Sequence, residues 1–158
     1  MFLIHLVFLL SLTTQQELPR DTVITLERTE CFGTCPSYKL SISANGKVVF
    51  IGQRFVKKTG KFESRITQDQ LKQLVSEFER INYFSLKDDY GWTVTYQPSE
   101  DCPEWWTDHP TAYTSITING KTKKVGHYDG CKGTDTVKKL AELENRIDEI
   151  VGTKQWIE

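Results

Sequence analysis

Tyr38-Lys39-Leu40-Ser41-Ile42-Ser43-Ala44-Asn45-Gly46-Lys47-Val48-Val49-Phe50-Ile51 is the stretch whose reading decides the fold. Tyr38, Leu40, Ile42 and Ala44 alternate with polar residues, the period of a half-buried strand. Asn45-Gly46 then supplies the residue types that accept two positive φ values in a two-residue hairpin turn. That turn would pair Ala44 with Lys47, Ile42 with Val49 and Leu40 with Ile51, so that one apolar face runs across both strands. The residues Gly52–Lys58 extend the second strand, and Thr59-Gly60 turns the chain into a further extended run, Lys61–Ile66.

Outward from this hairpin the same logic repeats. Thr22–Arg28 is β-branched and alternating, with Ile24 and Leu26 on one face. Thr111–Ile118, Asn119-Gly120 and Lys121–Tyr128 read as a second hairpin, whose two-residue register sets Ile116 against Lys123; that mismatch predicts a bulge. Thr67-Gln68-Asp69-Gln70 has the capping-box form, and Leu71, Leu74, Val75, Phe78 and Ile81 follow at helical spacing over 68–82. Thr134 or Asp135 caps a second helix with Val137, Leu140, Leu143, Ile147, Ile150 and Val151 as its apolar stripe, ended by Gly152. The expectation is an α+β fold: an antiparallel sheet of about five strands built from hairpins, with two helices packed on one face. Between Tyr83 and Pro110 periodicity is lost, and the segment holds Trp92, Trp105, Trp106 and the acids Glu100, Asp101 and Glu104. Such a long irregular segment is a candidate interaction surface. The acids lack the alternating ligand spacing and central glycine of a calcium loop.

The chain has 158 residues, 20 basic against 21 acidic. That length suits one domain, and the balanced charge excludes the basic face that nucleic-acid binding requires. Residues 1–16 have the outline of a signal peptide: an apolar run, Met1–Leu12, then small and polar residues, with cleavage expected near Thr13 to Gln16. No Lys or Arg precedes the run, and it is too short for a permanent span. The expected product is a single domain over 21–157, secreted or periplasmic, without stable membrane insertion after cleavage.

Export changes the meaning of the four cysteines, because oxidising compartments favour disulfides. Cys31 and Cys35 flank Phe32-Gly33-Thr34, and the pairing expected is Cys31 with Cys35 and Cys102 with Cys131. By loop-closure entropy the long link would contribute roughly 3 to 4 kcal/mol and the short one about 2 kcal/mol. Cys31 and Cys35 also suit a thiolate pair for redox exchange or a soft metal. Cys102, His109, His127 and Cys131 supply a tetrahedral donor set, but their spacing matches no common zinc finger. We therefore expect no metal and no cofactor.

Asp108, His127 and Tyr128 are the candidate binding residues, since the second hairpin brings its two ends side by side. An Asp108–His127 hydrogen bond would tune the imidazole as a general base, yet no serine elbow or phosphate-cradling loop accompanies it.

Cys31-Phe32-Gly33-Thr34-Cys35-Pro36-x-Tyr38, Thr107-Asp108-x-Pro110, His127-Tyr128-x-Gly130-Cys131 and Leu143-Glu144-x-x-Ile147-Asp148 through Gly152-Thr153-x-x-Trp156 resemble the domain-of-unknown-function family numbered 6438. The resemblance spans Thr22 to Ile157, with the paired tryptophans of Asp101–Trp106 as a departure. It implies the domain boundaries and brings no activity. The functional expectation is an exported, disulfide-stapled binding or interaction module without catalysis, its ligand a protein or a small molecule. A thiol-redox or metal site at Cys31 and Cys35 is the alternative, and a hydrolytic enzyme using Asp108 and His127 the third reading.

Overall fold

The computed structural model describes residues 17–91 and 98–158; the leader expected at 1–16 and Trp92 lie outside them. Among the described residues there are nine strands: β1 (Val23–Arg28), β2 (Ser37–Ser43), β3 (Lys47–Arg54), β4 (Gly60–Arg65), β5 (Asp89–Tyr90), β6 (Glu104–Trp105), β7 (Thr111–Ile118), β8 (Lys121–Tyr128) and β9 (Cys131–Lys132). The helices are α1 (Gln68–Arg80), α2 (Asp135–Val151) and the short α3 (Lys154–Ile157). The main sheet has seven strands in the order β4-β3-β2-β1-β7-β8-β5, and β6 and β9 form a separate pair. Every pairing in the large sheet is antiparallel except β5 with β8. The fold is α+β as expected, but with more strands. The additional ones, β5, β6 and β9, are two residues long, too short to show any period.

The second hairpin follows its sequence. Asn119 and Gly120 both adopt positive φ, 53° and 71°, and Ile116 faces Lys123 in an uninterrupted register. The expected bulge is absent from this pairing because Lys123 runs out to the rim and pairs with Asp88, so its charge never enters the core.

The first hairpin departs from expectation by one residue. Only Gly46 is left-handed, with φ 77°, and its N–H donates to Ser43 O at 2.8 Å, making a three-residue loop of Ala44, Asn45 and Gly46. Ile42 therefore faces Val48, and Leu40 faces Phe50. A one-residue slip exchanges the faces of a strand, so Val48 and Phe50 are fully buried while Ile51 is 42% exposed. Packing explains the choice. Phe50 stacks on Trp156 of α3 with centroids 4.7 Å apart and lies 5.2 Å from the Tyr38 ring, a larger apolar burial than Ile51 offers.

Both long helices cover the face bearing Ile24, Leu26, Leu40, Ile42, Val48, Phe50, Ile116 and Val125. In α1 the capping box of Thr67 and Gln70 is formed, and Leu71, Leu74, Val75 and Phe78 are buried. Thr134 caps α2, and Gly152 ends it with φ 72°. Phe78 meets Tyr83 edge to face at 4.7 Å, and the Tyr83 hydroxyl donates to Thr114 O at 2.7 Å, satisfying the one polar atom of that cluster. On the other face cross-strand pairs are polar, such as Thr25 with Ser115 and Lys39 with Glu27.

Gly46 and Gly120 make a controlled comparison. Alanine at either loses about 1 kcal/mol by placing a Cβ in the left-handed region. A Cβ at Gly46 would also lie 2.3 Å from Ile66 O, whereas nothing stands within 4 Å at Gly120. Urea denaturation should find Gly46→Ala less stable than Gly120→Ala by at least about 1 kcal/mol, the lower end for overpacking. Equal losses would contradict this placement of the turn against the β4–α1 corner.

Candidate functional site

Antiparallel pairing gathers one set of loops at one end of the sheet. Arg28 at the end of β1 faces both Tyr38 and Ala112, Ala112 faces His127, and Tyr38 faces Gly52. The loops 29–36, 55–59, 106–110 and 129–130 therefore share that end. Tyr38, Arg28, Ala112 and His127 form a row across four strands on the helix-covered face, and α2 crosses above it.

A charged network fills the space between the row and the helix. The Arg28 guanidinium donates from Nε and Nη2 to Asp148 Oδ2, each at 2.9 Å, and from Nη2 to Asn145 Oδ1 at 3.1 Å. Its Nη1 lies 3.9 Å from Glu144 Oε2. Tyr38 donates its hydroxyl to Asp148 Oδ1 at 2.6 Å and accepts from Arg28 Nε at 3.1 Å. The second carboxylate oxygen of Glu144 accepts from His127 Nδ1 at 2.9 Å, with both side chains about as buried as the core. Ions taken largely out of water are stable only when paired and hydrogen-bonded; Arg28, Asp148 and Glu144 are, whereas His127 Nε2 has no hydrogen-bond partner among the described residues. Burial alone would weaken the Arg28 charge, but Asp148, with Tyr38 and Glu144 beside it, outweighs burial and holds the guanidinium pKa above its ordinary value. Burial, then the Asp148 charge, push the Tyr38 phenol well above its usual 10, against the opposing effect of Arg28.

The candidate residues separate around this network. His127 points into it, and its carboxylate is Glu144 rather than Asp108. Tyr128, the next residue, projects to the opposite side of the strand. There it stacks with Trp105 at 5.7 Å, donates to Trp106 O at 2.8 Å and accepts from His109 N at 3.2 Å. Asp108 is exposed, left-handed at φ 68°, and accepts from its neighbour Thr107. Asp108, His127 and Tyr128 thus do not form one pocket. The arrangement holds charge and anchors α2; it does not bring the His127 imidazole, 1% exposed, to solvent.

Cys31 is bonded to Cys35 and Cys102 to Cys131, with Cα separations of 5.6 and 5.2 Å, a pattern consistent with an extracellular location. Among the described residues no group of three or more His, Cys, Asp or Glu side chains is placed to hold a metal. The Cys102–Cys131 link is buried and ties the irregular segment to β9, where β6 pairs. Trp106 N donates to Gly130 O, and Thr29 exchanges hydrogen bonds with Thr111 through N–H to O at 2.9 Å and Oγ1 from N–H at 2.8 Å. Arg54 joins Glu30 at 2.7 Å and lies over the Phe55 ring. On loops fixed this way stand three exposed aromatic side chains: Phe32 at 90%, Trp106 at 63% and Phe55 at 44%.

The sequence assigns no site role to Arg28, Glu144 or Asp148, the last two appearing only within a motif, although signals for such a role exist. Arg28 shares the parity of Ile24 and Leu26, so it points inward. Glu144 and Asp148 fall beside Leu140, Leu143 and Ile147 on the apolar stripe. An inward arginine facing acids on a buried stripe demands a pair.

A family model described as a domain of unknown function (DUF6438) matches residues 22–151, which include the whole network. No curated protein matches the chain.

The Tyr38 shift has a sign. A phenol whose folded pKa lies above its unfolded value near 10 contributes stability that is complete below about pH 10 and lost as pH rises through the folded value. Tyr38→Phe should cost about 1 to 3 kcal/mol at neutral pH through Asp148's lost donor and should flatten the fall in stability above about pH 10. Tyr83, also raised by burial, keeps part of that fall. Denaturation curves over the alkaline range test this; an unchanged slope would mean that the Tyr38 phenol titrates normally.

Proposed function

The chain belongs to the DUF6438 family, described as a domain of unknown function, and we propose, from the chain's own residues, that it works as an exported, disulfide-stapled binding module without catalysis. Its ligand is a protein segment with apolar side chains, docked on the aromatic loops at one end of the sheet. The observation that carries this reading is Phe32, 90% exposed at the tip of a loop closed by Cys31 and Cys35. A ring held in water gains roughly 2 to 3 kcal/mol when a partner buries it. A loop already closed by a covalent link loses little further entropy on binding. Trp106 and Phe55 extend the same rim, and aromatic anchors of this kind dominate interface energetics.

Other features support the reading. The anchors protrude instead of lining an enclosed cavity, which suits a protein surface better than a small molecule. Export is supported by the apolar leader over 1–16 together with the two disulfides. Among the described residues no helix is long and apolar enough to cross a membrane. A hydrolytic role for Asp108 and His127 has less support, because the imidazole is sealed under α2 and Asp108 lies outside with Thr107.

Peptides selected from a random displayed library on the immobilised protein provide the test. Enriched peptides should bind Phe32→Ala and Trp106→Ala more weakly by about tenfold or more, the effect of losing about 1.4 kcal/mol, while both variants keep their melting temperature. Peptides that bind the variants as well as the parent would remove the aromatic rim from the account.

A further inference from the structure

The two disulfides occupy opposite environments. Cys102 and Cys131 are 1% and 0% exposed, sealed beneath the irregular segment. Cys31 and Cys35 are partly exposed, and the three residues between them, Phe32, Gly33 and Thr34, are exposed. Gly33 adds to this openness: a Cβ there would stand 3.6 Å from Cys31 Sγ, in contact with the sulfur, and glycine leaves that side uncovered. Thiol–disulfide exchange needs a thiolate to reach a sulfur, and access decides which bond reacts.

Inside the loop the chain has little else to hold it. One backbone hydrogen bond, Gly33 N to Cys31 O at 2.9 Å, lies between the cysteines, and the Arg54–Glu30 pair and the Thr29–Thr111 bonds anchor only the base. The covalent link is therefore what orders the tip that carries Phe32.

We infer that Cys31–Cys35 is a thiol-exchange site, reduced by an extracytoplasmic dithiol while Cys102–Cys131 stays closed, and that its redox state sets whether Phe32 is presented. In the first step the dithiol's thiolate bonds to Cys31 Sγ, the Cys31–Cys35 bond breaks, and Cys35 leaves as a thiolate that takes up a proton. In the second the reagent's other thiolate attacks its own sulfur in the mixed disulfide, releasing Cys31, which is protonated in turn. The protein gains two electrons and two protons, and the dithiol becomes a disulfide. The exchange stands on access alone; its regulatory consequence rests on the binding role proposed above.

The experiment uses the intact oxidised protein and dithiothreitol as the probe. Aliquots taken along a graded reduction are alkylated without further reductant and mapped by mass spectrometry. Cys31 and Cys35 should label at least about tenfold faster than Cys102 and Cys131. Simultaneous labelling, or labelling of the buried pair first, would overturn the inference. Chymotrypsin cleavage after Phe32 reads the ordering of the tip without any ligand. Cleavage should accelerate after selective reduction and equally in the Cys31→Ser/Cys35→Ser double variant, with the melting transition of the sheet retained; unchanged cleavage in both would overturn the link to Phe32. Selected peptides should bind the reduced form more weakly. If no peptide is ever enriched, the binding role fails while labelling and cleavage still decide the exchange.

Discussion

The ion pair between Arg28 and Asp148 joins the central strand to the helix that covers it, and the loop-bearing end of the molecule depends on that joint. Strand β1 lies between β2 and β7 in the middle of the sheet, so a charge at its inward-facing end is largely covered, with the Arg28 side chain 20% exposed. It must be met from above. Asp148, Asn145 and Glu144 of α2 meet it, Tyr38 closes it on one side, and Glu144 carries the contact on to His127. Removing one partner would leave an uncompensated, partly buried charge, which costs more than the pair itself contributes. The network thereby fixes how α2 sits over the ends of β1, β2 and β8.

With that end fixed, its loops can carry residues that contribute nothing to the core. Phe32, Phe55 and Trp106 are exposed, yet each leaves an anchored base: the Arg54–Glu30 pair, the Thr29–Thr111 bonds, and the contact of Trp106 with Gly130. Gly130 permits that last approach, since a Cβ there would stand 2.2 Å from Trp106 O. Stability is stored in the buried strands, the two helices and the sealed Cys102–Cys131 link, while recognition is delegated to loops on a rigid scaffold. The second link closes a small loop and contributes mainly order at its tip.

What could be read in the sequence followed from local rules. Alternation located β1, β2, β3, β7 and β8, helical spacing and caps located α1 and α2, and the pairings were suggested by the adjacency of Cys31 and Cys35 and by Cys102 and Cys131 flanking one hairpin. The register of the first hairpin needed more. Asn45-Gly46 admits a two-residue or a three-residue loop, and the choice lay in Phe50 finding Trp156, a contact more than a hundred residues away in sequence. The charged network was hidden for the same reason, since Arg28 and Asp148 are 120 residues apart. Asp108 appeared a partner for His127 because hairpin ends are neighbours, but strand alternation sent Tyr128 outward and His127 inward to an acid on another element. The pairs β5–β8 and β6–β9 are too short for any periodic signal, and tertiary packing alone defines them.

Order at the exposed aromatic tips is the central claim, and backbone ¹⁵N relaxation of the oxidised protein measures it directly. If the disulfide and the anchored bases preorganise these loops, amides of residues 31–35 and 104–109 should have order parameters near about 0.85, like the strands beside them. Values below about 0.6 in the oxidised state would show loops that are mobile before any partner arrives, and would contradict the account.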